Sequence, residues 1–385
     1  MSVRQRMVAA IAAAAAMSVA GIMAVPAAQA SPARPRAQAK PANPHPFIDN
    51  FHHIKTVAST VPRNGDENPY GVFVVRQSTG RLHRGDVLVS NFNAKSNEQG
   101  TGKTIVEVSP SGHRTLFAHI SNGQVAGRCP GGVGLTTALE VLNGGWVVVG
   151  STPSSNGMAA TAKAGCLIVL NRDGQVAETF HGHGINGPWD ATVAGHGRVA
   201  DLFVTNVLNG GVQKTTAVVN QGTVLRLTLL LRPGHVPEWV STTKIASGLA
   251  EQQNSTAFVL GPTGVGISGD RLFIADTQNN TITAVSHPVP RHGSAGPGAT
   301  VTSGGDLNAP LGLAIAPNGD ILTVNGNDGR IVETTPAGVQ IAARYLDRTA
   351  PAPLGAGALF GLAVKPGGSG IYFVDDDMNN LRLLH

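Results

Sequence analysis

The 385 residues, 42% of them hydrophobic, are enough for one large domain with its own core. All 23 acidic residues but only 23 of the 28 basic ones follow Pro46, so the body of the chain has no net charge. A neutral body lacks the basic surface that neutralises phosphates, which argues against nucleic-acid binding.

The N-terminal segment is typical of an exported protein. Residues 1–7 carry Arg4 and Arg6, residues 8–25 are almost wholly apolar, and Ala28-Gln29-Ala30 offers small residues to a signal peptidase. This order predicts a signal peptide over residues 1–30, cut after Ala30. The alternative is an uncleaved membrane anchor, because the apolar run reaches the lower limit for spanning a bilayer. Export would place the protein in the periplasm, on the outer surface or in the medium.

A Pro- and Ala-rich stretch over residues 31–46 follows and is predicted to be a linker, because it cannot bury a core. No later apolar run is long enough to span a membrane. The two cysteines, Cys129 and Cys166, are predicted to form one disulfide in an oxidising compartment, with two buried thiols as the alternative.

One unit recurs along the rest of the chain: a Pro or Gly turn, an apolar strand, a Gly turn, a second strand ending in Asn or Asp, and a third strand. The clearest copy runs from Pro310-Leu311-Gly312 through residues 321–325 to residues 330–332. Further copies begin near residues 262 and 360, and weaker ones near residues 69, 132 and 188. Six units at spacings of roughly 50 to 75 residues, with no helical period, favour propeller blades.

The repeat resembles that of NHL-repeat propellers, in which Pro-x-Gly-Leu-Ala-Val precedes a strand ending in Asp and then Asn-Asn. The resemblance implies an all-β, six-bladed propeller over residues 47–385. The last unit finishes at its third strand, so residues 54–57 are predicted to supply the missing outer strand and close the ring. A monomer is the expected state.

In a propeller, the second strands end at the face where the inner strands begin, here called the mouth of the channel. Residues at this face are the candidates for binding a ligand, and Tyr70 and Trp189 are expected to be exposed contacts for an apolar or sugar ligand. The alternative is structural, because Asn and Asp at strand ends commonly bond to backbone and fix turns. The candidates are Tyr70, Asn91, Trp189, Asp190, Asn206, Asp276, Asn325 and Asp376.

The chain is also similar to senescence-marker and gluconolactonase-like propellers, which hold a divalent cation. Glu67-Asn68-Pro69 matches the first element of that site, whereas Leu311 stands where the family has an Asn ligand. The resemblance implies one divalent cation, calcium or zinc, held by Glu67 with Asp276 or Asp376. His181 and His183 offer a further pair of metal ligands, or are exposed loop residues.

Two functions follow. The first is a non-catalytic extracytoplasmic module that binds a small molecule, peptide, glycan or protein partner at the mouth. The alternative is a divalent-metal-dependent hydrolase or lyase, in which the cation polarises a carbonyl or activates water.

Overall fold

A computed structural model describes residues 45–255, 257–349 and 352–385. The predicted signal peptide and residues 31–44 of the predicted linker lie outside the described residues. The described chain holds 25 strands and four short 3-10 helices, and none of its helices is long and apolar enough to cross a membrane. The 3-10 helices are Phe47–Asn50, Asn122–Val125, Ala159–Thr161 and Val212–Lys214.

The strands form six antiparallel sheets, which confirms the predicted six-bladed propeller. Each sheet is one blade, and its first strand in chain order is the inner one except in blade 6, where β23 is inner. Blade 1 contains β2 (Glu67–Val74), β3 (Val87–Asn93), β4 (Thr104–Val108) and β5 (Arg114–His119). Blade 2 contains β6 (Leu135–Leu142), β7 (Trp146–Ser151), β8 (Cys166–Leu170) and β9 (Val176–Phe180). Blade 3 contains β10 (Gly187–His196), β11 (Val199–Val207), β12 (Val219–Leu230), β13 (Glu238–Asn254) and β14 (Phe258–Leu260).

The remaining blades have four strands each. Blade 4 contains β15 (Pro262–Ser268), β16 (Arg271–Asp276), β17 (Thr281–Ser286) and β18 (Ala299–Ser303). Blade 5 contains β19 (Pro310–Ile315), β20 (Ile321–Asn325), β21 (Arg330–Thr334) and β22 (Gln340–Tyr345). Blade 6 contains β23 (Leu359–Val364), β24 (Ile371–Asp375), β25 (Asn380–Leu384) and β1 (Ile54–Ser59). Blade 3 departs from the predicted repeat, because its long β13 turns back to add a fifth strand.

The ring closes as predicted. Strand β1 pairs antiparallel with β25, with Ile54 opposite Leu384, and runs two residues further than the predicted residues 54–57. The turn before β1 is also fixed, because the Glu333 carboxylate accepts the backbone N–H groups of Phe47 and Ile48 at 2.7 and 2.8 Å. The first described residues therefore complete the last blade and brace it against blade 5.

A bulge in each inner strand explains the Pro-x-Gly motif. In blade 5, Pro310 lies opposite Asn325 and Leu313 opposite Thr323, so two inner-strand residues face one on the second strand. The second of them, Gly312, lies so close to blade 6 that a Cβ atom there would be 2.2 Å from the carbonyl oxygen of Phe360. Gly264 and Gly361 make equally close approaches to the blades that follow them. The motif's glycine is what lets neighbouring inner strands touch around the axis.

The predicted disulfide is present. Cys129 and Cys166 are bonded, with their Cα atoms 5.5 Å apart. Cys129 lies before the inner strand of blade 2, and Cys166 opens the third strand. The bond therefore ties the entry of this blade to its outer half.

Candidate functional site

The mouth of the channel is filled by aromatic side chains. Tyr70 stacks on Phe92 and Phe360, with ring centroids 4.8 and 4.3 Å away, and meets Trp189 edge-on at 5.8 Å. Phe258 packs against Phe92 and Trp189. Tyr70 and Trp189 are only 3% and 2% exposed, so the expectation that they are exposed is wrong. Rings from three blades converge on the axis and cover one another.

The space left above these rings is small. A cavity of about 70 Å³ lies at the mouth, lined in part by Tyr70, Leu311 and Phe360. Sites that enclose a small-molecule ligand usually measure about 300 Å³ or more. The cavity that the described residues form at the mouth is therefore smaller than the usual metabolite site, and a binding role for these residues stays a prediction.

The strand-end amides at the mouth make structural hydrogen bonds. Asn206 is fully buried, and its Oδ1 accepts the backbone N–H groups of Asn186 and Gly187 at 2.8 and 3.0 Å. The Nδ2 of Asn325 donates to the carbonyl oxygen of Asp306 at 2.8 Å, and the Nδ2 of Asn91 donates to that of Thr60 at 3.2 Å. These bonds tie the ends of the second strands to adjacent turns.

Asp276 and Asp376, the acidic candidates at the mouth, interact with different neighbouring residues. Asp276 is buried, and Asn279 donates to its carboxylate from both the side chain, at 2.9 Å, and the backbone. Burial raises the pKa of the Tyr70 hydroxyl, and the negative charge of nearby Asp376 adds to this rise. Among the described residues, Glu67, Asp276 and Asp376 do not form a three-ligand metal group, and neither His181 nor His183 belongs to one.

The larger space lies on the other side of the aromatic side chains. A cavity of about 570 Å³, here called the channel cavity, is lined by the middle and far ends of the six inner strands. Blades 4, 5 and 6 contribute Gly266, Ala314 and Ala363 to its wall, and these small residues leave the space open. The volume falls within the usual range for a small-molecule site.

Asp190 lies on the wall of this cavity rather than at the mouth. It occupies the bulge position of the inner-strand glycine, because Pro188 pairs with Asn206 and Ala191 with Val204, as in the other blades. Its carboxylate accepts the backbone N–H groups of Ala191 at 2.9 Å and of Val265, in the next blade, at 3.1 Å. Burial nevertheless raises the pKa of Asp190 to about 7.

Glu140, on the neighbouring inner strand β6, is a second acid in the channel cavity. It is 6% exposed, and burial raises its pKa to about 8; the Arg76 guanidinium opposes this rise and the Asp190 carboxylate adds to it. Sequence reasoning missed Glu140, although an acid between Leu139 and Val141 in an apolar strand is a visible signal of a buried charge.

The sequence repeat did not reveal Glu140 because the repeat is irregular in blade 2. Leu135 pairs with Ser151 and Leu139 with Val149, so β6 carries one residue more in its bulge than the other inner strands. No Pro-x-Gly motif lies at the bulge of this blade, and the unit predicted near residue 132 begins before β6, which starts at Leu135.

Solved structures share the fold. A gluconolactonase from Xanthomonas campestris matches with a TM-score of 0.51 and 14% identity, over 86% of this chain and 88% of that one. The calcium-binding protein regucalcin from Agrobacterium tumefaciens matches with a TM-score of 0.51 and 12% identity, over 85% and 92%. A luciferin-regenerating enzyme matches with a TM-score of 0.52 and 9% identity, over 86% and 94%. No protein-family model and no curated protein matches the sequence. At such identities, the likeness shows the six-bladed propeller fold.

Proposed function

We propose that the protein is a hydrolase or lyase whose acid–base pair is Asp190 and Glu140 in the channel cavity. The observation that carries the proposal is that two blades depart from the repeat, and both departures put a carboxyl with a pKa near neutrality on one cavity wall. Carboxyls perturbed by burial inside a cavity are typical of catalytic sites. A residue kept only for folding would recur in every blade.

The chemistry that fits this pair is hydrolysis of an ester or lactone. The Asp190 carboxylate accepts a proton from water as the water oxygen bonds to the carbonyl carbon. The carbon–oxygen bond to the leaving alkoxide then breaks, and the Glu140 carboxylic acid donates its proton to that alkoxide. Arg76 offers positive charge to the oxyanion that forms between these steps. The products are a carboxylic acid and an alcohol.

Calcium does not suit the pair of Asp190 and Glu140. Both oxygens of Asp190 face backbone N–H donors, and the Arg76 guanidinium already supplies positive charge to Glu140. A hard cation needs about six oxygen ligands, and N–H donors cannot serve as such ligands. The proposed steps therefore use the side chains alone.

Hydrolysis of a panel of esters and lactones, followed by titration of the acid released, tests the proposal. The panel includes 4-nitrophenyl acetate and sugar lactones, since a gluconolactonase shares the fold. We expect Asp190→Asn and Glu140→Gln each to lower kcat by roughly 100-fold or more. Asp320→Asn is the matched control, because burial also raises the pKa of Asp320, yet that residue lies away from the cavity.

Activity equal to that of the wild type in both cavity variants would contradict the proposal. A wild-type protein that hydrolyses nothing on the panel but binds a glycan or peptide would instead support the binding module. Such binding at the mouth should be unchanged by Asp190→Asn, since Asp190 lies beyond the aromatic rings.

We also propose that the protein is exported. The support is the signal-peptide pattern of residues 1–30 together with the Cys129–Cys166 disulfide, which is typical of oxidising compartments. Intact-mass analysis of the protein made in a bacterial host should give a chain that begins at Ser31. A mass that retains residues 1–30 would contradict this.

A further inference from the structure

A second group of ionisable side chains lies in blade 1, outside the channel cavity. His83 and Asp86 belong to the loop between β2 and β3, and Glu107 lies on the adjacent β4. One potential metal-ligand atom from each of the three lies within 4.8 Å of the other two. It is the one such group of three among the residues that the structure describes.

The side chains of this group point toward one another. Glu107 is 3% exposed, and its Oε1 accepts the backbone N–H of His83 at 2.9 Å, which orients the carboxylate. Glu107 Oε2 and Asp86 Oδ2 lie 3.5 and 3.9 Å from His83 Nδ1, so the three side chains face one another. A cation between these three atoms would offset the cost of burying the Glu107 carboxylate.

The separations match a metal ion better than a direct hydrogen bond. Ligands at about 2.1 Å from a tetrahedral ion lie roughly 3.4 Å from one another. The distances from Nδ1 are close to this value, and they are longer than the 2.7–2.9 Å of a charge-assisted hydrogen bond. One imidazole with two carboxylates is a ligand set for zinc-class transition metals, whereas calcium prefers oxygen alone.

We propose that His83, Asp86 and Glu107 bind one divalent transition-metal ion of the zinc class. A water molecule would complete the tetrahedron, on the side where His83 is exposed. The ion would cross-link the loop between the first two strands of blade 1 to the third strand. The site is distinct from the channel cavity and from the cation site implied by Glu67, Asp276 and Asp376.

Equilibrium dialysis of the full-length protein, first stripped with a chelator, against zinc tests the site. We expect one zinc per chain, and an affinity at least 100-fold lower in His83→Gln and in Glu107→Gln. Zinc should also raise the Tm of the wild type and leave that of either variant unchanged, since only a bound ligand stabilises the fold. Gln at position 107 retains an oxygen for the His83 N–H, and circular dichroism of both variants checks that they fold.

His287→Gln is the matched control. His287 Nδ1 lies 3.2 Å from Asp270 Oδ2 on the surface of blade 4, in a pair without a third ligand. Its replacement should leave zinc binding as in the wild type, and so should Asp190→Asn, which separates this site from the proposed hydrolase. The absence of bound zinc at micromolar concentrations, or equal binding by His83→Gln, would overturn the proposal.

Discussion

Asp190 and Glu140 retain protons near neutral pH because the inner strands bury their carboxyls away from water. For Asp190 this burial outweighs two backbone N–H donors, which favour the ionised form. For Glu140, burial raises the pKa further, although the Arg76 guanidinium opposes the rise, and the charge of Asp190 adds to it. One acid is thus set to accept a proton and its neighbour to give one.

The pair predicts a narrow pH optimum. Activity requires Asp190 to be ionised and Glu140 to be protonated, so kcat/KM should rise through pH 7 and fall above pH 8. The two limbs belong to the pair as a whole, because the groups interact. Arg76→Gln should move the alkaline limb to higher pH, since its guanidinium lowers the pKa of Glu140. A profile that is flat from pH 5 to 10 would count against this assignment.

A separate acid should influence stability. Burial, with the Glu333 carboxylate adding to it, raises the pKa of Asp320 to about 6. Because this folded-state pKa exceeds the unfolded value, its contribution to stability is present below about pH 4 and is lost as the pH rises through 6. Asp320→Asn should therefore raise the free energy of unfolding at pH 7 by about 1 kcal/mol.

Urea unfolding at pH 7 and at pH 3.5 measures this effect. The variant and the wild type should converge at the lower pH, where Asp320 is protonated in both the folded and the unfolded state. A variant that is less stable at pH 7 would show that the Asp320 carboxylate is a needed hydrogen-bond partner of Asn318.

At the scale of the strand, the inner-strand bulge determines both the packing of the blades and the position of the site. Its glycines let neighbouring inner strands touch, and Asp190 is placed in the channel cavity by the same bulge. Bulges next to functional sites commonly change the direction in which a side chain points.

Gly312→Ala should destabilise the protein by about 3 kcal/mol, because the new methyl group would lie 2.2 Å from a carbonyl oxygen of the next blade. Gly195→Ala is the control, since Gly195 also lies in an inner strand but has no heavy atom within 4 Å of the added Cβ. We expect that variant to change stability by about 0.5 kcal/mol or less. Equal unfolding midpoints in urea for the two variants would contradict this explanation of the motif.

The sequence was sufficient to predict the six blades, but it was insufficient to predict where the candidate site lies. Strand order and ring closure follow from repeats that local residue patterns reveal. The disulfide follows from two cysteines in a chain with a signal-peptide pattern. The burial of Tyr70 and Trp189 depends on rings from other blades meeting at the axis, which no local pattern shows. Asp190 was identified as a candidate but assigned to the mouth, and Glu140 was missed, because bulges shift the alternation of inward and outward side chains.

At the scale of the whole molecule, blade 6 joins the two ends of the described chain. The N-terminal turn contributes as well as β1, because Phe47, Ile48 and Phe51 pack into the core shared by blades 5 and 6. Arg344 donates hydrogen bonds to the carbonyl oxygens of Ile48 and Phe51. Closure therefore depends on apolar burial as well as on strand pairing.

Removal of residues 1–60 should expose the edge of β25 and lower the unfolding midpoint strongly, with aggregation through the free edge. Removal of residues 1–44 is the control, because it leaves both the turn and β1 in place. Thermal unfolding and light scattering distinguish the two truncated chains. A chain without residues 1–60 that stays monomeric and as stable as the control would show that β1 is dispensable.

The pairing of Ile54 with Leu384 also constrains when the molecule can fold during its synthesis. Its two partners stand 330 positions apart, so the ring cannot close until the last strand has left the ribosome. Contacts of such long range make folding slow, because the chain must first be brought together over that whole distance. While this protein is being made, its ring therefore stays open, with β1 unpaired until β25 has been synthesised.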